Sequence, residues 1–310
     1  MRYINEILEN ERVIGHFLCK RKELRESRAG KSFLSLKLAD KTGILDGKVW
    51  EITNDIGQCE EGEMIKVDGT TTLYNGELQL KITKMRRSLP SEYNIEDYVA
   101  VSKREIGEMF GKIENMIKGV KNKFVRTLLE NIFIEHEKIS ALFKSHSAAM
   151  HMHHSFMGGL LEHTLSVAEI SLMLGARYKH VNMDLLLAGA LLHDIGKIYE
   201  LTAMPMVEYT DDGQMLGHII IGVELVTCEA AKIENFPHDL ASLIKHLIIS
   251  HHGEYEFGSP KLPSTPEAMI LHYADNVDAK LTMFDDILDT TPGQWSGFNK
   301  SIGRYLRKTV

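Results

Sequence analysis

The period of the hydrophobic pattern changes once along these 310 residues, and that change limits the fold more than any other feature. Between residues 10 and 87, VIGHFLC, SFLSLKLAD, ILDGKVWE, MIKVDGTTTLY and ELQLKITKMRR each show partial alternation of apolar and polar residues, the mark of half-buried strands. The breaks between them, RAGK, DKTG, CEEGE and YNGE, carry turn chemistry, and YNGE holds the Asn-Gly pair of a tight hairpin. Five short strands so close together suit a small closed or nearly closed barrel. From Ser88 the polar connector SLPSEYN intervenes, and apolar residues then recur every three or four positions through KREIGEMFGKIENMIKGV and NKFVRTLLENIFIEHEKISALFK.

Helical spacing continues through GGLLEHTLSVAEISLMLGARY, DLLLAGALLHDIGK, GHIIIGVELVTCEAAKI, HDLASLIKHLIISHHG and TPEAMILHYADNVDAKLTMFDDIL. Asp184, Asp239 and Thr265 are the expected capping residues, and Gly253 is an expected stop. Residues 203–216 read as a loop or small hairpin. The expected architecture is multi-domain α+β: a five-stranded barrel over 1–88, an all-α bundle over 141–310, and between them a helical linker over 89–140 that packs on the bundle.

Composition narrows the setting. With 44% apolar and 25% charged residues the chain has a globular balance. Uninterrupted apolar runs, such as LLLAGALL (185–192), fall short of a bilayer span. The N-terminus is charged from its second residue and lacks a signal-peptide core. Cys19, Cys59 and Cys228 are far apart and form no CxxC pair, which argues against a disulfide framework and a zinc knuckle. The expected location is the cytoplasm. Charge is uneven: residues 1–90 hold 16 Lys+Arg against 14 Asp+Glu, whereas the formal net charge of the chain is −7. A mildly basic front half joined to an acidic back half suggests two different tasks.

Thirteen of the fifteen histidines lie between His146 and His272. In LLHDIGK, His193 and Asp194 close an apolar run, where an unpaired polar group is costly. His163, His218, His251, His252 and Asp275 stand in or at the ends of other apolar helices. Imidazoles and carboxylates drawn from facing helices are how a bundle builds an internal metal site. This donor set suits Mn, Fe, Co, Ni or Zn better than calcium, and thiolates are absent. His154, the best placed of His151, His153 and His154, is a candidate for contact with substrate phosphate. His272, one turn before Asp275, is a candidate partner for a ligand.

In the front half, CKRKELRESRAGK (19–31) offers Lys20, Arg21, Lys22, Arg25, Arg28 and Lys31 against two glutamates, with Arg86 and Arg87 at the end of the last strand. FLSLKLADKTGILDGKVW, with its D-x-T-G turn and following tryptophan, resembles the opening strands of the nucleic-acid-binding OB-fold. Such barrels stack bases on aromatics above a basic groove. Phe33, Trp50 and Tyr74 are the stacking candidates, and filling the barrel is the other use open to Phe33 and Trp50. The tail WSGFNKSIGRYLRK (295–308) is also aromatic and basic; it either guides a strand or packs back on the bundle.

The order His163, His193-Asp194, Asp275 resembles the HD-domain superfamily of metal-dependent phosphohydrolases, whose pattern is H…HD…D with extra histidines when two metals are bound. The resemblance implies a first metal on His163, His193, Asp194 and Asp275. It implies a second on His218 and on His251 or His252, with Asp194 bridging. Lys197, one turn beyond His193, is then a candidate for a phosphate oxygen, though helix C-termini also favour an ordinary solvated lysine.

The pairing of an OB-like front with an HD back resembles the YhaM family of 3′→5′ exoribonucleases over nearly the whole chain. That resemblance implies Mn-type metal dependence, single-stranded RNA as substrate with single-stranded DNA also accepted, nucleoside 5′-monophosphate products, and self-association. The segment EYEFGSPKLPSTPEA lacks the GYP-type element of cyclic-dinucleotide HD enzymes. Two other readings stay open. One is an HD enzyme of free nucleotides, and the other a non-enzymatic single-strand binder whose HD site is structural.

Overall fold

The computed structural model describes residues 2–27, 30–150 and 154–309. The chain divides into two compact units, Met1–Ala100 and Val101–Val310.

In the first unit, β1 (Arg12–Glu26), β2 (Ser32–Asp40), β3 (Gly43–Val49), β4 (Met64–Tyr74) and β5 (Glu77–Arg87) close a barrel in the order β1-β2-β3-β5-β4. The strands pair antiparallel except β3 and β5. Alternation sends Phe17, Cys19, Leu36, Leu38, Leu45, Val49, Ile65, Val67, Leu80 and Ile82 into one shared core. The YNGE hairpin forms as expected, with Asn75 and Gly76 at φ 53° and 84° joining the pair Tyr74–Glu77. The D-x-T-G turn is a structural device: Asp40 accepts from the backbone N–H and hydroxyl of Thr42 and from the N–H of Ile4. Beyond the connector at Ser88 the chain folds back, and Tyr98 packs with Leu18, Ala39 and Met64. The compact unit therefore runs on to Ala100.

The second unit is helical: α1 (Ile106–Lys118), α2 (Lys123–Glu130), α3 (Glu137–Ser145), α4 (Gly159–Gly175), α5 (Met183–Leu192), α6 (Lys197–Glu200), α7 (Asp211–Ala231), α8 (His238–Ser250) and α9 (Pro266–Thr290). A π-helical turn, Asn131–Glu135, splits what reads in sequence as one helix into α2 and α3. α5 is apolar on every side, and its residues Leu185 to Leu192 are all buried; each leucine so buried contributes about 1.5–3 kcal/mol relative to exposure. α4, α8 and α9 pack around it.

Two of the three expected caps differ. Asn182, not Asp184, caps α5, accepting from the N–H of Leu185, while Asp184 accepts from the N–H groups of Lys121 and Asn122 before α2. Pro237 precedes α8, where Asp239 makes no cap. Thr265 caps α9 as expected. Residues 211–216, read as loop or hairpin, are the first turns of α7, set off by a kink at Gly217 (φ 73°). By length and average hydropathy α7 matches a bilayer span, which counting unbroken apolar runs did not detect. It packs here against α6 and α8.

Candidate functional site

Five helices bring polar residues to one point. His163 rides on α4, His193 and Asp194 directly follow α5, His251 and His252 follow α8, and Asp275 lies on α9. α7 brings His218 just after its kink. Gly196 makes that approach possible: a Cβ there would sit 2.0 Å from the His218 carbonyl oxygen and 2.7 Å from the Gly222 nitrogen. Backbone lies where a side chain would be, so the third residue after His193 has to be glycine.

His163 Nε2 stands 3.2 Å from His193 Nε2, 3.2 Å from Asp275 Oδ1 and 3.4 Å from Asp194 Oδ2. His193 Nε2 is 3.4 Å from the same Asp194 oxygen. Donors bound about 2.1 Å from one ion lie about 3.0 Å apart at right angles and about 3.4 Å apart in a tetrahedron. These four pairs hold that spacing, and His193 Nε2 and Asp275 Oδ1 stand wider apart, at 4.0 Å. The other oxygen of Asp194 turns the opposite way, 3.4 Å from His218 Nε2 and 3.8 Å from His251 Nε2. His218, His251 and His252 form their own cluster with metal-binding spacing.

Each of these histidines is anchored through Nδ1. His193 bonds the Ala190 carbonyl (2.9 Å), His251 that of Ile248 (2.7 Å) and His252 that of Phe257 (2.9 Å). His218 bonds Glu200 (3.0 Å), and His163 bonds Asp278 (2.7 Å). A proton committed to Nδ1 leaves the Nε2 lone pair for an ion and fixes the ring plane. Asp194 Oδ1 and His218 Nε2 are buried without a hydrogen-bond partner. A buried orphan is costly, and a cation between these two would satisfy both. The residues fit a divalent cation.

Electrostatics agree. Burial alone would raise the Asp194 carboxyl, but Lys197 and the neighbouring histidines hold it well below the usual carboxylate range. Asp275 is treated the same way, with His163 the main opposing partner. Burial pushes His251 and His252 down, so both stay neutral, as ligands must be. His163 is the exception. Burial works against its charge, yet Asp194, Asp275 and Asp278 hold its imidazolium well above the ordinary value. The chain alone answers its buried carboxylates with a proton on His163 and the ammonium of Lys197, which is 2.7 Å from Asp194 Oδ2.

All seven expected metal ligands thus converge. His272 makes no direct bond to a cluster side chain; its Nδ1 lies 3.0 Å from the His251 carbonyl oxygen. His154 is placed differently from the expected phosphate contact. It is buried behind His163, 3.3 Å from Asp278 Oδ2, where it supports the cluster instead of facing an open surface. His151 and His153 lie outside the described residues. Asp278, Ser166 and Glu200 were missed by sequence reasoning. Ser166 and His163 both bond Asp278, and Glu200 bonds both the Nδ1 and the N–H of His218. Asp278, Ser166 and Glu200 stand three residues beyond Asp275, His163 and Lys197, one helical turn each, and that spacing was the available signal.

On the barrel, Phe33 and Trp50 are not core: their rings stack with centroids 4.6 Å apart, and Trp50 is 44% exposed. Lys48 lies 5.9 Å over Phe33. Tyr74 is exposed at the hairpin tip. The basic residues differ from one another. Arg21 and Arg25 pair with Glu23, Arg86 with Glu92, and Arg87 with Glu63. Lys22 bonds the Cys59 carbonyl. Lys20 and Lys31 are exposed with no ion pair among the described residues, and Arg28 lies outside those residues. A groove beside this patch is lined by Lys20, Arg21, Lys37, Ile44, Asp46 and Leu78.

Two family models match the chain: the HD domain over residues 160–280 and an OB-fold nucleic acid binding domain over residues 19–87. A protein of Geobacillus sp. (strain WCH70), named 3′-5′ exoribonuclease YhaM, is 35% identical over 270 residues, 86% of this chain and 82% of its own. Proteins of the same name from Bacillus velezensis and Bacillus subtilis (strain 168) are each 34% identical over 289 residues, 92% of this chain and 91% of theirs.

Proposed function

The chain belongs to the family of YhaM 3′→5′ exoribonucleases, and from that membership we propose a metal-dependent hydrolase that removes nucleotides from the 3′ end of single-stranded RNA. Nucleoside 5′-monophosphates are the products, and single-stranded DNA is a second polymer it accepts. The observation that carries the reading is Asp194, whose two oxygens face two separate groups of histidines inside the helical unit.

Divalent cations in these two groups, manganese by our choice from the imidazole and carboxylate donors, supply Lewis acidity toward phosphate oxygens and a more acidic attacking water. We assign His163, His193, Asp194 and Asp275 to one ion and His218, His251 and His252, with Asp194, to the other. Asp194 keeps the two groups at a fixed separation. The Nδ1 anchors hold each imidazole in one tautomer, so no ring has to reorient when substrate arrives. Lys197 meets the Asp194 oxygen that faces His163 and His193, and we assign its ammonium to a phosphate oxygen of the scissile linkage. Release of a 5′-monophosphate breaks the P–O3′ bond, leaving a free 3′-hydroxyl on the shortened strand, so the same end re-enters the site. On the barrel, the Phe33–Trp50 stack with Lys48, together with Lys20 and Lys31, which make no ion pair among the described residues, is suited to hold a single strand. We place the enzyme in the cytoplasm, where its three free cysteines stay reduced.

The test uses 5′-labelled single-stranded RNA with the wild-type chain and Asp194→Ala, in Mn²⁺ and in EDTA. A ladder that shortens from the 3′ end, lost with EDTA and with the substitution, is expected. Intact RNA in Mn²⁺ would overturn the reading in favour of free nucleotides or plain strand binding.

A further inference from the structure

Residues 291–309 hold Lys300, Arg304, Arg307 and Lys308 and no acidic residue, in a chain whose net charge is −7. They fold into a hairpin on the end of α9. Trp295 pairs with Arg307 and Asn299 with Arg304. The N–H of Ser296 donates to the Leu306 carbonyl, and that of Lys308 to the Gln294 carbonyl. Asn299 closes the turn by accepting from the N–H groups of Ser301 and Ile302.

Ser296, Leu306 and Thr291 are buried and fasten the hairpin down. Trp295, Phe298 and Tyr305, in contrast, remain 59%, 54% and 59% exposed. Phe298 and Tyr305 pack edge to face with centroids 5.3 Å apart, and the Arg307 guanidinium lies 5.8 Å from the Trp295 ring centre. Lys308 is committed to the Thr291 carbonyl and the Arg304 Nε to that of Ile302. None of the four cations is in an ion pair among the described residues. Three exposed rings on a hydrogen-bonded frame, interleaved with uncompensated cations, match what single strands require: flat faces for bases and positive charge for phosphates. A purely apolar protein partner would leave the cations unanswered.

We propose that the 295–307 hairpin is a stacking platform for single-stranded RNA on the helical unit, additional to the barrel. The inference rests on the reading of the chain as an enzyme of single strands. Bases stack on Trp295 and on the Phe298–Tyr305 pair, while Lys300, Arg304 and Arg307 meet the phosphates.

Trp50 and Trp295 are the only two tryptophans, so Trp50→Phe leaves Trp295 as a single reporter. The full chain, in EDTA to keep the strand intact, is titrated with a single-stranded oligoadenylate while Trp295 emission is followed. Saturable quenching that weakens with added salt is expected. Adding Phe298→Ala and Tyr305→Ala should weaken binding by about tenfold or more. Unchanged Trp295 emission at concentrations that saturate a labelled oligoadenylate would overturn the platform and leave the face to a protein partner. Should the ring-deleted chain unfold at lower temperature, Arg304→Gln with Arg307→Gln decides instead: unchanged affinity overturns the proposal, and a loss with a reduced salt dependence supports it. Failure of the exonuclease reading is separable. In that case labelled RNA stays intact in Mn²⁺ while Trp295 is still quenched.

Discussion

Asp278 touches no expected ion, yet it gathers His163, His154 and Ser166 on one carboxylate. Its role is to keep the His163 proton on Nδ1 and the Nε2 lone pair aimed at the cluster. Asp278→Asn removes the acceptor charge while keeping the shape. Manganese affinity, read by the electron spin resonance of free Mn²⁺, should fall by about 10–100-fold. The histidines and aspartates of the cluster were legible in sequence because ionisable residues in apolar helices demand partners. Asp278 and Glu200 were not, since what distinguishes them from solvated acids is a contact with another helix. The raised affinity of His163 for its proton has a measurable sign. At neutral pH the folded chain without metal keeps that proton, and an ion on Nε2 has to displace it. Metal binding should therefore release protons and strengthen as pH rises, which calorimetry in buffers of different ionisation enthalpy would show; proton uptake would contradict the assignment of His163.

At the scale of elements, the site depends on how closely α7 can lie against the turn after α5. Gly196→Ala places a methyl group on the His218 carbonyl. Overpacking against backbone costs about 1–3 kcal/mol or more, and α7 has to move to relieve it. Urea unfolding should show the loss of stability, and the histidine group on His218, His251 and His252 should lose its ion before the other group does. Helices and strands themselves were largely legible, because both periods are strong and the Asn-Gly turn is nearly unambiguous. Their ends were less so. Near the start of α5, Asn182 and Asp184 are both good caps, and the choice is made by Lys121 and Asn122, whose N–H groups take Asp184. The first turns of α7 were hidden because Thr210, Asp211, Asp212 and Gly213 read as a turn. Thr210 is in fact the cap, accepting from the N–H of Gly213.

For the whole molecule, the two tasks suggested by the uneven charge correspond to two compact units. The barrel carries the exposed Phe33–Trp50 stack, and the helical unit carries the buried cluster. The basic tail left two uses open in sequence, and its residues divide between them: Ser296 and Leu306 are packed down, whereas Trp295, Phe298 and Tyr305 are exposed. α9 connects two of these features directly, since Asp275 lies in its first half and the hairpin is fastened to its end at Thr291. Sixteen residues of helix separate them, about 24 Å at the usual rise. At about 3.4 Å per stacked nucleotide, α9 becomes a ruler of roughly seven nucleotides. A strand longer than the ruler can occupy the cluster and the hairpin at once, and a shorter one has to let go of the hairpin. Digestion of a long labelled RNA should accordingly show a pause near that length, with the last few nucleotides removed slowly, and the pause should vanish when Trp295, Phe298 and Tyr305 are replaced by alanine.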